Sequence, residues 1–206
     1  MFLFFRAIPY TDERCSGVSA SVTETSLSLL LAAELSGQRV LAIGGGRVAE
    51  RRLLRLLALV PEVRVVIVAP RLTPTLHRTA TVHGWDWRAR AVAEDDLDER
   101  WSLVLVNVDD VELDRTLCAT ARARMLWVAS ANGFGNVRLV AVRAIGPLRL
   151  AVDTGGRSPS LARALADRLG EMVVRWLDPV RLQRYESSGW PREADAVEQE
   201  LNEWPT

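Results

Sequence analysis

The chain has 206 residues, of which 49% are hydrophobic and 25% are charged, an ordinary balance for a globular protein. That length can bury a full core, either as one large domain or as a domain with an appendage. The 26 basic residues, all arginine, balance 26 acidic residues, so nucleic acid is not an expected partner. Cys15 and Cys118 match no metal or redox spacing. We therefore expect a reduced, cytoplasmic chain with no metal site.

Residues 1–36 precede the first motif and are interpreted as an amino-terminal extension. The opening stretch MFLFFRAIPY is apolar but very short, and it carries no basic leader. The leucine run within 23–35 is too short to span a bilayer. We expect one amphipathic helix near 25–35 and no association with a membrane.

A glycine-rich turn follows the first apolar run, 40–43, and leads into a helical pattern over 47–59. In the order strand, turn, helix, Gly44, Gly46 and Ala49 occupy the three small-residue positions of the dinucleotide-binding fingerprint. Gly44 permits the sharp turn, Gly46 lets the backbone approach a pyrophosphate, and Ala49 lets the helix pack closely. The amide groups at the helix start would then bind the phosphates.

Apolar strands and helical patterns alternate from this turn to residue 129. The expected elements are strand 63–68, a short helix 73–80, a weak strand 85–92, a helical turn in the acidic run 94–99, strand 103–108, helix 111–124 and strand 126–129. Alternation at this spacing predicts an α/β fold with a Rossmann-type parallel sheet. The continuous apolar character of 63–68 and 103–108 agrees, since such strands are covered on both faces.

The ends of two strands flank the expected cofactor site. Strand 63–68 ends at Val68 and Ala69 without the acid that would bind a ribose 2′-hydroxyl, whereas Arg71 could accept a 2′-phosphate. Asp109 and Asp110 either face the cofactor or cap the following helix. The cofactor-binding residues expected are Gly44, Gly45, Gly46, Arg47, Val48, Ala49, Val68, Ala69, Asp109 and Asp110.

The pattern changes after residue 130. A turn-rich stretch, 132–136, precedes partial alternation over 137–145 and a further strand, 148–152. Ser158 before Pro159 is a helix start signal. The helix that follows places Leu161, Leu165, Leu169, Met172 and Trp176 on one face. It stops at 178–179, and a charged helical tail is expected over 180–204.

Three segments together resemble a known family. GGGRVAERR, DLDERWSLVLVNVDDVELD and GPLRLAVDTGGRSPSLARAL are similar, in order and spacing, to the amino-terminal half of siroheme synthase, the precorrin-2 dehydrogenase/sirohydrochlorin ferrochelatase module. The resemblance covers about residues 37–176. It implies a Rossmann domain, a middle segment of strands that forms a homodimer, and a helical domain. The domains expected are an extension 1–36, an NAD-binding domain 37–112, a dimerisation segment 113–150 and a helical domain 151–206.

Assembly is expected to be symmetric. The strands of 130–152 carry Val137, Leu139, Val140 and Val142, more apolar surface than one small sheet edge can hide. We therefore expect a homodimer through this segment, as the resemblance also implies.

The resemblance implies a two-step activity on a tetrapyrrole substrate. NAD+ takes a hydride from precorrin-2 to give sirohydrochlorin, and ferrous iron is then inserted without ATP. The resemblance favours NAD as cofactor. It also assigns the loop of Thr154, Gly155, Gly156 and Ser158 to the macrocycle, with Thr154 as a catalytic residue as well, although Thr154 and Ser158 could be turn and cap residues only.

One position departs from the family pattern. The aspartate that the family uses for acid–base chemistry falls on Ser130, and a serine hydroxyl cannot act as a base at neutral pH without its own activator. Either another carboxylate serves in its place, with Asp153 and Asp110 as the nearest candidates, or this is a divergent homologue that keeps the nucleotide fold and does other work. The catalytic candidates are therefore Ser130, Asp153 and Thr154. Asp153 could instead cap the turn before Gly155.

Overall fold

The computed structural model describes residues 29–146 and 148–177. The chain divides into two compact units, Met1–Leu31 and Ala32–Thr206. Residues 29–35 are not helical, so the helix expected near 25–35 is wrong for this part, and 25–28 lie outside the described residues. Isolated helices shorter than about 12 residues are marginal without packing, which explains why periodicity alone misled here.

Five parallel strands form the main sheet, in the order β3-β2-β1-β4-β5. The strands are β1 (Arg39–Ile43), β2 (Arg64–Val68), β3 (Asp86–Arg88), β4 (Leu103–Val106) and β5 (Val128–Ser130). The weak strand expected over 85–92 is therefore only three residues long. The chain order reverses between β1 and β4, so the crevice at the carboxyl ends of these two strands is the usual ligand position.

Helices cover both faces of this sheet, as the continuous apolar strands require. They are α1 (Arg47–Leu59), α2 (Pro74–Val82) and α3 (Val111–Ala123), with a short 3-10 helix at Glu94–Leu97 in the acidic run. Val40 and Ala42 of β1 pack in one core with α1 and α2. Leu41 and Ile43 point the other way and pack in a second core with α3.

A hairpin and a long helix follow the sheet. Strands β6 (Ala141–Ile145) and β7 (Leu148–Val152) pair antiparallel, and α4 (Pro159–Trp176) packs on them. The partial alternation over 137–145 is therefore a strand only from residue 141. The α/β class, with a Rossmann-type parallel sheet followed by a small β segment and a helix, is confirmed.

The buried face of α4 is not its leucine face. Small residues and a valine face the hairpin, namely Ala162, Ala166, Gly170 and Val173. Leu161, Leu165, Leu169 and Met172 are instead between 41% and 52% exposed in the single chain. Close packing on the hairpin explains the choice, because a β-carbon on Gly170 would lie 2.7 Å from Cγ of Arg143.

Two further expectations concern the chain beyond the main sheet. β5 lies inside the segment 113–150 that was expected to form the dimer, yet it pairs with β4 and completes the parallel sheet. The helical tail expected over 180–204 lies outside the described residues. In the described part of the chain, no helix combines the length and apolar character needed to cross a membrane.

Candidate functional site

The glycine turn after β1 is shaped by two close backbone approaches. Gly44 has a φ of +100°, and its N–H donates to the Val68 carbonyl at the end of β2 (3.0 Å). A β-carbon on Gly44 would lie 2.3 Å from the Asn107 carbonyl oxygen. Gly45 is similarly confined, because its β-carbon would lie 2.2 Å from the Arg71 carbonyl oxygen. These two glycines therefore fix the turn, and larger residues would displace backbone.

Gly46 is different, because the turn leaves open space around it. Its φ of −79° and ψ of −171° suit any residue, and a β-carbon there would have no atom within 4 Å. Gly46 is the N-cap of α1, and its capping position makes no side-chain hydrogen bond. Amide groups in the first helical turn lack intrahelical partners and lie at the positive end of the dipole. The amides beginning at Arg47 and Val48 are thus suited to an anionic group such as a pyrophosphate.

Ala49 completes the fingerprint from the inside. It is fully buried and belongs to the same core cluster as Val40 and Ala42 of β1. A small side chain at this position lets α1 lie directly against the strand, which aims the helix start at the crevice.

The segment after β2 is attached to the glycine turn. Ala69 is buried at the strand end, and the Thr73 N–H donates to the Gly45 carbonyl (3.0 Å). The Thr73 hydroxyl also donates to the Glu50 carboxylate of α1. Arg71 is exposed, and within the described residues its side chain has no hydrogen bond or ion pair. It is free to meet a ligand beside the turn.

Asp109 and Asp110 follow β4, and both are exposed. Asp110 is the N-cap of α3, where its carboxylate accepts hydrogen bonds from the amides of Glu112 (3.0 Å) and Leu113 (3.1 Å). The capping alternative is thus realised for Asp110. A cofactor role for the two aspartates stays a prediction.

A polar cluster lies buried at the carboxyl ends of β4 and β5. The Ser130 hydroxyl donates to Asp114 Oδ2 (2.7 Å) and accepts from the Asn132 N–H (2.9 Å). Asp114, on α3, is fully buried and also accepts from Asn132 Nδ2 (2.7 Å), Asn132 N (3.2 Å) and Cys118 Sγ (3.2 Å). Burial and the bond to Asp114 raise the pKa of Cys118 to about 12. The thiol therefore stays protonated and acts as a donor.

Arg52 connects this cluster with α1. Its guanidinium donates to the Ser130 carbonyl (2.7 Å) and to Asn107 Oδ1 (2.9 Å). Burial lowers the pKa of Arg52, nearby Arg51 lowers it further, and Asp114 opposes both effects. The contacts tie the first helix to the ends of the two strands beside the crevice.

The loop expected to face the macrocycle is closed by its own hydrogen bonds. Thr154 Oγ1 donates to the Ser158 carbonyl (3.1 Å) and accepts from the Ser158 N–H (3.1 Å). Ser158 also caps α4, where its hydroxyl accepts from the Leu161 amide (3.3 Å). Gly155 and Gly156 both have positive φ values, +63° and +78°. The turn and cap roles weighed for Thr154 and Ser158 are present, and a substrate role for this loop stays a prediction.

Asp153, at the start of this loop, is engaged on both carboxylate oxygens. One accepts from the Gly155 N–H (3.0 Å), and the other pairs with Arg138 (2.7 Å). The hydrogen bond from Arg138 is the main reason why the pKa of Asp153 lies below its usual value. The carboxylate is therefore ionised at neutral pH and held by a cation.

The structure thus assembles the glycine turn, the end of β2 and Ser130 at one edge of the sheet. Four residues that were not predicted from the sequence complete this edge, namely Arg52, Asn107, Asp114 and Asn132. Asp114 carried a signal, since it shares the buried face of α3 with apolar residues. Those neighbours are Leu117, Cys118 and Ala121.

A surface cavity of about 700 Å³ lies at the opposite, amino-terminal edge of the sheet. Its lining includes Arg39, Glu99 and Arg124. Arg39 pairs with Glu99 (2.6 Å) and lies over the Trp101 ring, and Arg124 pairs with Asp98 (2.7 Å). The cavity is remote from the glycine turn and is not part of the site. Across residues 29–146 and 148–177, no group of three or more His, Cys, Asp or Glu side chains could hold a metal ion.

Comparison with known proteins places this geometry in a family. The family described as putative NAD(P)-binding matches residues 31–139, more than half of the chain and the whole of the parallel sheet. The chain belongs to that family.

Curated relatives and a solved structure extend the comparison. Siroheme synthase of Xylella fastidiosa (strain M12) is 34% identical over 145 residues, which are 69% of this chain and 30% of the relative. Siroheme synthase 1 of Klebsiella pneumoniae subsp. pneumoniae is 31% identical over 146 residues, 70% of this chain and 31% of the relative. The chain spans about a third of the length of these relatives. The structure of SirC, precorrin-2 dehydrogenase, has a TM-score of 0.63 at 22% identity and covers 85% of this chain and 88% of that chain, which shows a shared fold. The resemblance inferred from the three motifs is confirmed.

Proposed function

We propose that this protein is an NAD-dependent dehydrogenase that oxidises precorrin-2 to sirohydrochlorin in siroheme biosynthesis. The observation that carries the proposal is the glycine turn, in which Gly46 leaves open space before an uncapped helix start. The relatives named siroheme synthase and the fold shared with a precorrin-2 dehydrogenase support the choice of substrate.

The fit to a nicotinamide cofactor rests on the turn and on its neighbours. Gly44, Gly45 and Gly46 would hold the pyrophosphate together with the amides of Arg47 and Val48. When bound, NAD+ supplies the acceptor for a hydride. Ala69 at the end of β2 offers no carboxylate to a ribose, and Arg71 stands nearby without a partner among the described residues, so NADP+ is the comparison that the binding experiment needs.

The substrate side is assigned to the loop from Thr154 to Ser158, with arginine side chains of this lysine-free chain as partners for carboxylates. Guanidinium groups pair carboxylates in bidentate fashion, which suits a macrocycle that carries acidic side chains. Thr154, Gly155, Gly156 and Ser158 would approach the macrocycle, with Thr154 Oγ1 as the polar contact. Insertion of ferrous iron into sirohydrochlorin is included in the proposal, and its only support is the resemblance to the siroheme synthase module.

We also propose a homodimer, with no nucleic acid and no membrane among its partners, located in the cytoplasm. Four large apolar residues of α4, Leu161, Leu165, Leu169 and Met172, are each more than 40% exposed in the single chain. Leu139, before β6, is 45% exposed as well. A contiguous apolar face of this kind is typical of an interaction surface, and a symmetric contact between two copies would bury it.

The test is direct turnover with the purified full chain. Precorrin-2 and NAD+ are mixed with the protein, and the absorbance band of sirohydrochlorin is followed, with NADP+ in a parallel reaction. We expect sirohydrochlorin to form in proportion to the protein added. Addition of ferrous iron then tests the chelatase step through the siroheme spectrum.

Two failures have different meanings. Nucleotide binding by calorimetry without any turnover would favour the alternative, a divergent homologue that keeps the fold but acts on another small substrate or only binds and regulates. Ser130 at the family's aspartate position is the observation behind that alternative. Absence of both binding and turnover would contradict the nucleotide site itself.

A further inference from the structure

The proposed function assigns no role to the carboxylate of Asp114. It lies on the apolar face of α3 and is fully buried. The groups that hydrogen-bond to it are all neutral: the Ser130 hydroxyl, the backbone and side-chain amides of Asn132, and the protonated Cys118 thiol. Burying a carboxylate is costly even when it is well hydrogen-bonded. Arg52 is the nearby cation, since Asp114 raises the pKa of its guanidinium, but Arg52 donates to the Ser130 carbonyl and to Asn107.

The Ser130 hydroxyl connects this carboxylate, through a hydrogen bond, with the carboxyl-terminal edge of the sheet. Its single proton is donated to Asp114 over 2.7 Å, and one of its two lone pairs accepts from the Asn132 N–H. The Cys118 thiol also lies within hydrogen-bonding reach of this hydroxyl, which lowers the pKa of the thiol. The Ser130 carbonyl is held by Arg52 at 2.7 Å, which fixes the residue. A serine hydroxyl is activated by an adjacent general base that accepts its proton, and Asp114 holds that position here.

The position of Ser130 relative to the glycine turn follows from contiguous contacts. Gly44 abuts the Asn107 carbonyl, Arg52 binds the Asn107 side chain, and Arg52 also binds Ser130. Ser130 ends β5 in register with Val106 of β4. Since the end of β2 belongs to the adenosine ribose in this fold, the other half of a dinucleotide extends over β4 and β5. Ser130 therefore lies at the edge where the reacting ring is expected.

We propose that Ser130 and Asp114 form a proton relay for the dehydrogenation, an inference that rests on the proposed function. Oxidation of precorrin-2 removes two electrons and two protons, of which the oxidised cofactor accepts a hydride, so the protein must accept one proton. Ser130 Oγ takes that proton from the macrocycle while its own proton moves to Asp114 Oδ2. Asp114 acts through Ser130 and is a positioning residue, and the proton returns to solvent through Ser130 after the product leaves.

Two single variants test the relay. Ser130→Ala removes the hydroxyl, and Asp114→Asn removes the charge at nearly constant size. We expect each to lower kcat by about a hundred- to ten-thousand-fold, with little change in the KM for precorrin-2 or in the Kd for NAD+ measured by calorimetry. Because the two residues act as one unit, the double variant should be no slower than the slower single variant.

A matched control separates the relay from a structural role. Asn136→Ala removes the side chain that accepts from the Val128 N–H (2.8 Å) and donates to the Leu126 carbonyl (3.0 Å) at the other end of β5, and it leaves the Ser130–Asp114 bond in place. It should lower the midpoint of thermal unfolding to a similar extent as Ser130→Ala, while kcat stays within about twofold of the parent. If the control loses as much turnover as Ser130→Ala, the cluster serves structure alone and the relay is wrong.

Moving the carboxylate gives the decisive measurement. In Asp114→Asn/Ser130→Asp, an amide at 114 supports a carboxylate at 130, and we expect kcat to recover to within about tenfold of the parent. A folded double variant, with the parent's Kd for NAD+, that does not recover overturns the relay, as does a folded Asp114→Asn protein with the parent's kcat. A parent that binds NAD+ but does not oxidise precorrin-2 overturns the proposed function and the relay with it, so the two failures are distinguishable.

Discussion

Gly46→Asp is the sharpest perturbation of the nucleotide site, because it should move stability and binding in opposite directions. The backbone at Gly46 suits an aspartate, since its φ is −79° and a β-carbon there meets no atom within 4 Å. The residue is the N-cap of α1, which has no side-chain cap at present. A carboxylate in this position can accept hydrogen bonds from the free backbone N–H groups of the first turn.

The expected size of both effects follows from this geometry. A capping carboxylate at a helix start, with fewer unfolded conformations than glycine, should raise the free energy of unfolding by about 0.5 to 1 kcal/mol. For a chain of this size that is a rise of roughly 1 to 4 °C in the unfolding midpoint. The same carboxylate would face the pyrophosphate, and a like-charge pair about 4 Å apart near a protein surface repels by about 4 kcal/mol. Affinity for NAD+ should therefore fall by about a thousandfold.

Calorimetry with NAD+ and NADP+, beside thermal unfolding of the same samples, measures both effects. Gly46→Asn is the matched control, since it has the same shape and also caps the helix but carries no charge, and it should lose much less affinity. Gly44→Ala is the contrasting variant, because its φ of +100° and the 2.3 Å approach to the Asn107 carbonyl should destabilise the fold by at least about 2 kcal/mol. If Gly46→Asp binds NAD+ as tightly as the parent, the pyrophosphate does not lie at this turn.

Three further outcomes are expected. Asp153→Asn should lower kcat by less than about tenfold, because this carboxylate is paired with Arg138. A loss of about a hundredfold or more in the sirohydrochlorin assay would assign the acid–base role to Asp153 instead of the Ser130–Asp114 pair. Asp96 is 2% exposed, and hydrogen bonds from Arg90 lower its pKa to about 2. The ionised Asp96 therefore contributes about 2 kcal/mol to the free energy of unfolding above pH 4, and this contribution is lost as the pH falls through about 2. In Asp96→Asn, the free energy of unfolding should fall less steeply between about pH 4 and pH 2 than in the parent. An unchanged slope would contradict the role of the Arg90–Asp96 pair. Light scattering at micromolar concentration should give twice the mass of one chain, and Leu169→Arg should shift it towards one chain, whereas a monomeric parent would contradict the dimer.

The sheet and its turn were predictable because their signals are local. The run 40–43, three glycines and a helical pattern lie within 20 residues, and each strand of the sheet appears as an apolar run of its own. The errors at strand ends have a common cause. Apolar residues continue beyond the paired backbone, as at Trp85 before β3 and at Val137 before β6, because they pack in the core without joining a sheet.

The leucine face of α4 shows where periodicity stops being informative. Hydrophobic spacing finds the most apolar face of a helix, but the face that packs in a single chain is the one that fits its neighbour. On the hairpin, that is the face of Ala162, Ala166 and Gly170, where the backbone approaches closely. The leucines then remain exposed and available for contact with a second chain. The hydrophobic spacing in the sequence does not distinguish such a contact from packing in the core of one chain.

The carboxylate at the edge of the sheet, Asp114, could be identified only from the fold. In the sequence, Ser130 stands where the family has an acid. The two acids suggested by the sequence as replacements, Asp110 and Asp153, both accept hydrogen bonds from backbone N–H groups. Asp114 lies 16 residues from Ser130 and on a different element, yet the βαβ crossover from β4 through α3 to β5 brings it within 2.7 Å. The crossover between parallel neighbours is usually a helix that packs back onto the strands. An acid on the inner face of that helix can therefore take the place of an acid on the strand, so a substitution at residue 130 has to be judged together with residue 114.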